Sequence, residues 1–210
     1  MARWVPQGFV LVSVNYRLHP AVQVPQQAQD VASALAAAQR QAAQWGADAA
    51  RFILMGHSAG AHLVALLHAS PALARQAGVS APWLGTVALD SAALDLPALM
   101  AAPHLRFYDR VFGADPAFWR QVSPQHALAE AGATAPLLLV CSTRRADQSC
   151  GPARAMAQRA QAQGGRAEVL PQALSHSDIN GELGRESSYT QAVERFMASL
   201  DAQVAQQLKR

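Results

Sequence analysis

The stretch Arg51-Phe52-Ile53-Leu54-Met55-Gly56-His57-Ser58-Ala59-Gly60 decides how this chain reads. Arg51 to Met55 is a short apolar run with strand character, and Gly60 to His68 reads as a helix. Between them, Gly56-His57-Ser58-Ala59-Gly60 fits the pattern Gly-x-Ser-x-Gly, a nucleophile elbow. A chain turning this sharply from strand to helix leaves little room for side chains beside the serine, which accounts for the glycines. The same turn holds Ser58 in a strained conformation with its hydroxyl exposed. It also aims the first N–H groups of the following helix at the place where negative charge develops in acyl transfer.

Outward from this motif the chain alternates strand and helix. Phe9 to Val14 reads as a buried strand, and Pro25 opens an Ala-rich helix that runs to about Trp45-Gly46. Leu84 to Leu89 is a further strand, Pro136 to Cys141 the next, and Ala167 to Leu170 a short last one. Helices are expected from Gly151 to Gln163 and from about Tyr189 to Gln207. This alternation predicts an α/β fold with a mostly parallel sheet and helices on both faces, in a single domain over 1–210. Residues 92–135 break the rhythm with several prolines and the aromatics Phe107, Tyr108, Phe112, Phe118 and Trp119. This segment reads as a cap-like insertion over one end of the sheet.

Composition narrows the function. Of 210 residues, 51% are hydrophobic and 15% charged, enough to bury a core and too apolar for a disordered segment. The net charge of +3 comes from 17 basic and 14 acidic side chains that are scattered, not striped, so nucleic acid is not an expected partner. No apolar run reaches the roughly 18 residues of a membrane span. Met1 to Pro6 has no signal-peptide core, but a missing upstream segment could hold a signal, so the compartment is left open with the cytoplasm as the default. Cys141 and Cys150 match no zinc spacing; they stay reduced or at most form one local bridge. No metal or cofactor is expected.

A serine hydroxyl needs a base and an acid behind it. In a parallel α/β sheet these come from the C-terminal ends of later strands, in the chain order Ser, then Asp or Glu, then His. Asp147 follows the Pro136–Cys141 strand and His176 the Ala167–Leu170 strand, which makes them the expected acid and base for Ser58. Asp90 and Asp95 compete for the acid role but sit one strand early. Asp178 is placed to fix the His176 loop. His57 and His62 lack the His-Glu-x-x-His spacing of a zinc site. Arg17 and Asp30 are expected to pair, tying the first strand to the helix after it.

Val14-Asn15-Tyr16-Arg17-Leu18, Pro25 with Asp30, Gly56-His57-Ser58-Ala59-Gly60-Ala61-His62 and Ser175-His176-Ser177-Asp178-Ile179-Asn180 together resemble the α/β-hydrolases. The closer likeness is to the branch of bacterial carboxylesterases and kynurenine formamidase-like enzymes, and Leu183-Gly184 with Tyr189-Thr190 extends it. The resemblance implies Ser58 as nucleophile, His176 as general base and then acid, and Asp147 as its orienter. The Ala59 N–H would be one oxyanion donor. It also implies hydrolysis of a small-molecule ester without cofactor, or alternatively of an N-formyl amide; homo-oligomerisation is left open.

The departure is upstream. Such enzymes carry a His-Gly-Gly loop before the Asn-Tyr-Arg-Leu strand, and here only eight residues precede Phe9. Two readings follow: an N-terminally truncated hydrolase, or a first strand that has moved across to pair with the second. A truncated hydrolase would be poorly soluble or catalytically impaired, and at the extreme a binding module. A doubly wound reductase would need Gly-x-Gly-x-x-Gly after the first strand, which is absent.

Overall fold

The computed structural model describes residues 3–131 and 135–209. Four strands, β1 (Ile53–His57), β2 (Gly85–Leu89), β3 (Leu137–Ser142) and β4 (Ala167–Gln172), form one sheet in the order β1-β2-β3-β4. Every neighbouring pair is parallel. Parallel neighbours need a crossover between strands, and helices supply each one. The connection from β1 to β2 carries α2 (Ala59–Ala69) and α3 (Pro71–Gln76), following α1 (Val24–Gln41) earlier in the chain. Between β2 and β3 lie α4 (Leu96–Ala101), α5 (Arg106–Phe112), α6 (Pro116–Gln121) and α7 (Pro124–Ala131). The β3–β4 crossover is α8 (Cys150–Ala162), and α9 (His176–Gly181), α10 (Ser188–Ala198) and α11 (Ala202–Gln207) complete the chain.

Side chains alternate across the two central strands, and both faces are dry. Leu137, Leu139 and Cys141 join Ala88, Leu54 and Met156 in a core under α2 and α8. Leu138 and Val140, with Val87 and Leu89, pack on the other face against Tyr189, Val193, Phe196 and Met197 of α10. Because both faces are covered, β2 and β3 are buried at every position. This explains why they read in the sequence as near-continuous apolar runs rather than alternating ones.

The structure departs from the expected elements in two places. Residues 9–18 form no strand. Among the described residues the backbone of Val10 to Tyr16 finds no hydrogen-bond partner, and Val10, Leu11, Val12 and Val14 are exposed. A strand is held by the ladder of its neighbour. Among the described residues β1, the edge strand on which the segment was expected, is paired with β2 alone. The predicted shift of this segment onto β1 does not occur; Phe9 packs against the core cluster of Val87, Leu89, Tyr189 and their neighbours. The last helix is two, because Asp201 interrupts it and accepts from the Gln203 and Val204 N–H groups as the N-cap of α11. Cys141 and Cys150 form the one local bridge that the sequence left open.

Arg17 and Asp30 pair as expected. The Arg17 backbone N–H and Nε donate to Asp30 Oδ2, and Nη2 donates to Oδ1 at 2.7 Å. Among the described residues no helix is long and apolar enough to cross a membrane.

Candidate active site

All four strands run the same way, so their C-terminal ends lie along one edge of the sheet. Ser58, Asp90, Arg145, Asp147 and His176 all come from that edge. Ser58 sits directly between β1 and α2 with φ 57° and ψ −116°, a conformation that costs about 1–3 kcal/mol and persists only where its surroundings enforce it. Its N–H donates to the Leu89 carbonyl at 3.0 Å, and its carbonyl accepts the His62 N–H. The turn is therefore tied both to β2 and to its own helix. Ala59 opens α2, and among the described residues its N–H finds no acceptor, as expected for a first-turn donor.

The two glycines of the motif are not equivalent. A Cβ on Gly56 would lie 2.3 Å from the Gly60 carbonyl oxygen, whereas one on Gly60 would meet nothing within 4 Å. Steric crowding thus explains Gly56 and not Gly60. The expected result is that Gly56→Ala destabilises by about 2 kcal/mol or more, through overpacking against backbone that cannot yield. Gly60→Ala should be neutral, or stabilising by up to about 1 kcal/mol through helix propensity. Urea unfolding of the two variants checks this, and equal losses would contradict it.

His176 follows β4 at the first turn of α9. Ser175 caps that helix: its Oγ accepts the Asp178 N–H and donates to the Asp178 carboxylate at 2.6 Å. Asp178 does fix this loop. His57 fixes it from below, its Nε2–H donating to the His176 carbonyl at 2.8 Å with the two rings 4.5 Å apart. Burial lowers the His57 imidazole from its ordinary value, so it serves here as a neutral donor. Held in this way, His176 Nε2 lies 2.9 Å from Ser58 Oγ. The sequence places these two residues together, and so does the structure.

The carboxylate that meets His176 is not the one the sequence singles out. His176 Nδ1 lies 2.6 Å from Asp90 Oδ2, not against Asp147. Asp90 is the first residue after β2, the strand between β1 and β3, and its N–H extends the ladder to the Val140 carbonyl. It adopts φ 60°, which turns its side chain out of the strand direction. Asp147 lies five residues beyond the end of β3, and both its oxygens are taken by Arg145 Nε and Nη2. Asp95, the other competitor, caps α4 by accepting the Ala98 N–H.

The Asp90 side chain has no exposed surface, whereas that of His176 is 38% exposed. Burial pushes the Asp90 carboxyl upward, but the opposing contacts win. Ser149 Oγ donates to Oδ1 at 2.6 Å, His176 and Arg145 to Oδ2, and the Ser142 N–H to Oδ1. The net result lies below the usual carboxylate range, so Asp90 is ionised at neutral pH. A buried anionic acceptor on Nδ1 selects the tautomer whose free Nε2 lone pair faces the serine hydroxyl. A set of this kind can take a proton from Ser58 and stabilise the imidazolium that results.

Ser142, Ser149, Arg145 and His57 are the supports that sequence reading missed. Their signal was position alone: His57 and Ser142 end strands, Arg145 lies in the loop after β3, and Ser149 stands at the N-cap of α8 beside Cys150. Within the aromatic segment, Tyr108 and Phe112 share a buried cluster with Val24 and Ala28 of α1 and Leu63 and Leu66 of α2. Phe107 is 51% exposed and edge-on to Tyr108.

His62 lies one turn below Ser58 and is buried. Its Nδ1–H donates to the Ala93 carbonyl at 2.7 Å, while Nε2 has no partner. Burial lowers its pKa to about 4. Between about pH 6.5 and 4 the unfolded chain binds a proton that the folded one refuses. Stability is therefore complete above pH 6.5 and falls with acidification. His62 alone contributes about 3 kcal/mol to that fall. Urea midpoints at pH 7.5 and 4.5 test this; equal stability at both would contradict it.

The family model BD-FAE matches residues 1–78, a span that includes the elbow. Apo esterase 2 of Thermogutta terrifontis superposes with a TM-score of 0.67 at 22% identity, covering 88% of this chain and 69% of that one. Esterase B from Lactobacillus Rhamnosis (HN001) gives 0.69 at 20% identity, with 92% of this chain and 66% of that one covered. The chain has an α/β-hydrolase fold. The Thermogutta enzyme has also been solved phosphonylated by sarin, and that form superposes with a TM-score of 0.68 at 20% identity over 88% of this chain and 70% of that one. No curated protein sequence matches this chain.

Proposed function

We propose that the chain is a serine hydrolase that cleaves a small carboxylic ester through an acyl-enzyme. The observation that carries this reading is the unbroken line from Ser58 Oγ to His176 Nε2 at 2.9 Å and from His176 Nδ1 to Asp90 Oδ2 at 2.6 Å. Esterase structural neighbours support the same chemistry. His176 takes the Ser58 proton as Oγ attacks the ester carbonyl, and the carbonyl oxygen becomes an oxyanion facing the Ala59 N–H at the start of α2. Collapse breaks the bond to the alcohol oxygen, which leaves with the proton from His176. Water, deprotonated by His176, then attacks the acyl-serine and releases the acid and free Ser58. Asp90 keeps its negative charge throughout. Residues 92–135 act as the cap, with Phe107 presenting apolar surface to the substrate.

The test is active-site labelling. An alkyl p-nitrophenyl phosphonate should release one equivalent of p-nitrophenol and leave its adduct on Ser58, located by peptide mass spectrometry. Absence of labelling in a folded chain would overturn the proposal.

A further inference from the structure

Among the described residues Arg145 is the one cation buried in the site, and the ester-hydrolysis steps above give it no task. It side chain is 13% exposed, and four groups converge on it. Nη1 donates to the Asp90 carbonyl oxygen at 2.9 Å and to Asp90 Oδ2 at 3.1 Å. The same nitrogen lies 2.8 Å from His176 Nδ1. Its Nε and Nη2 form a two-pronged bridge to Asp147. Burial alone would lower the guanidinium pKa, but Asp147 and Asp90 outweigh it and raise it, so the cation is permanent.

We infer that Arg145 is a positioning residue for the acid–base pair, and that Asp147 is its counter-charge. This inference rests on the serine-hydrolase reading. Asp90 Oδ2 receives two donors, His176 Nδ1–H and Arg145 Nη1–H, which explains why the two nitrogens approach so closely. Because Arg145 also grips the Asp90 carbonyl, the carboxylate cannot rotate about its side-chain bonds without losing a bond to the guanidinium. The planar fork fixes the direction from which His176 is held. A lone guanidinium beside the imidazole would oppose the positive charge that His176 acquires in the transition state. Asp147 cancels it. Asp90, Arg145 and Asp147 together present one net negative charge to the ring. An aspartate at the expected acid position is thereby retained, one residue removed from the base, with a different task.

The roles predict coupled kinetics. Arg145→Ala should lower kcat on a p-nitrophenyl ester by about 100-fold, the scale of a misplaced catalytic group, with KM nearly unchanged. Guanidinium chloride at low millimolar concentration should restore most of that loss by refilling the space. Asp147→Asn should cost several-fold in the parent and nothing further in the Arg145→Ala background, since its task is to neutralise Arg145. Should Arg145→Ala not fold, Arg145→Lys replaces it in the same cycle; lysine keeps the charge but cannot bridge both carboxylates, so kcat should still fall. A loss carried by KM, a loss without guanidinium rescue, or additive Asp147 and Arg145 effects would overturn the inference.

A second readout does not depend on turnover. The far-downfield proton resonance of His176 Nδ1–H bonded to Asp90 should be present in the parent and lost or shifted in the Arg145 variant. An unchanged resonance overturns the role of Arg145 alone. A parent chain that shows the resonance yet is not phosphonylated at Ser58 defeats the hydrolase reading instead.

Discussion

Replacing Ser58 by alanine is expected to lower ester turnover by about 10⁵–10⁶-fold, and His176→Ala by a comparable factor. The double variant should be scarcely worse than either single one. Ser58 Oγ and His176 Nε2 share a single proton-transfer line 2.9 Å long, so removing either end removes the whole attack. What remains would be binding and the Ala59 N–H, which act without a nucleophile. Neither change should unfold the chain. His176 is partly exposed, and its loop is held independently by the Ser175–Asp178 cap and the His57 bond to the backbone. Steady-state hydrolysis of p-nitrophenyl acetate, with circular dichroism as a check of folding, measures the effect. Near-parental turnover in His176→Ala would remove it as the base.

Asp90→Asn should lower kcat by about 10⁴-fold, while Asp147→Asn costs only several-fold. An asparagine at position 90 can donate to His176 Nδ1, which moves the ring proton to Nε2 and leaves the Ser58 hydroxyl without an acceptor. The substitution isolates the electronic effect cleanly. Asparagine tolerates the left-handed conformation that Asp90 adopts at φ 60°, so the backbone has no reason to move. Asp147 offers a direct comparison, since it sits where the strand order of the fold puts an acid but touches Arg145 rather than His176. If Asp147→Asn proved the more damaging of the two, the acid would have to be reassigned to it.

Much of this arrangement is written in local sequence. Parallel strands buried on both faces favour continuous apolar runs; Leu137 to Cys141 is one, and Gly85 to Leu89 is interrupted only by Thr86. Ser58 is legible because its strained backbone demands Gly56 beside it, a chemical requirement visible within six residues. His176 is legible because a histidine beyond the last strand, next to a Ser-x-x-Asp cap, has a fixed place in such a sheet.

Other features depended on contacts between segments far apart in the chain. Phe9 to Val14 has strand composition, yet composition cannot supply a neighbour, and with no ladder beside it the segment is not a strand. Cys141 and Cys150 could have stayed apart until β3 and α8 brought them together. The choice between Asp90 and Asp147 is the clearest case. Both follow strands and both are carboxylates, and strand order in the sequence favours Asp147. Only the packed sheet shows that Asp90 lies between Ser142, Ser149 and His176, while an arginine two residues before Asp147 holds that carboxylate away. Local sequence determined which backbone turns and strands could form, because those depend on neighbouring residues. Tertiary structure decided which of two acids serves the histidine, because that depends on donors 52 to 86 residues away from Asp90.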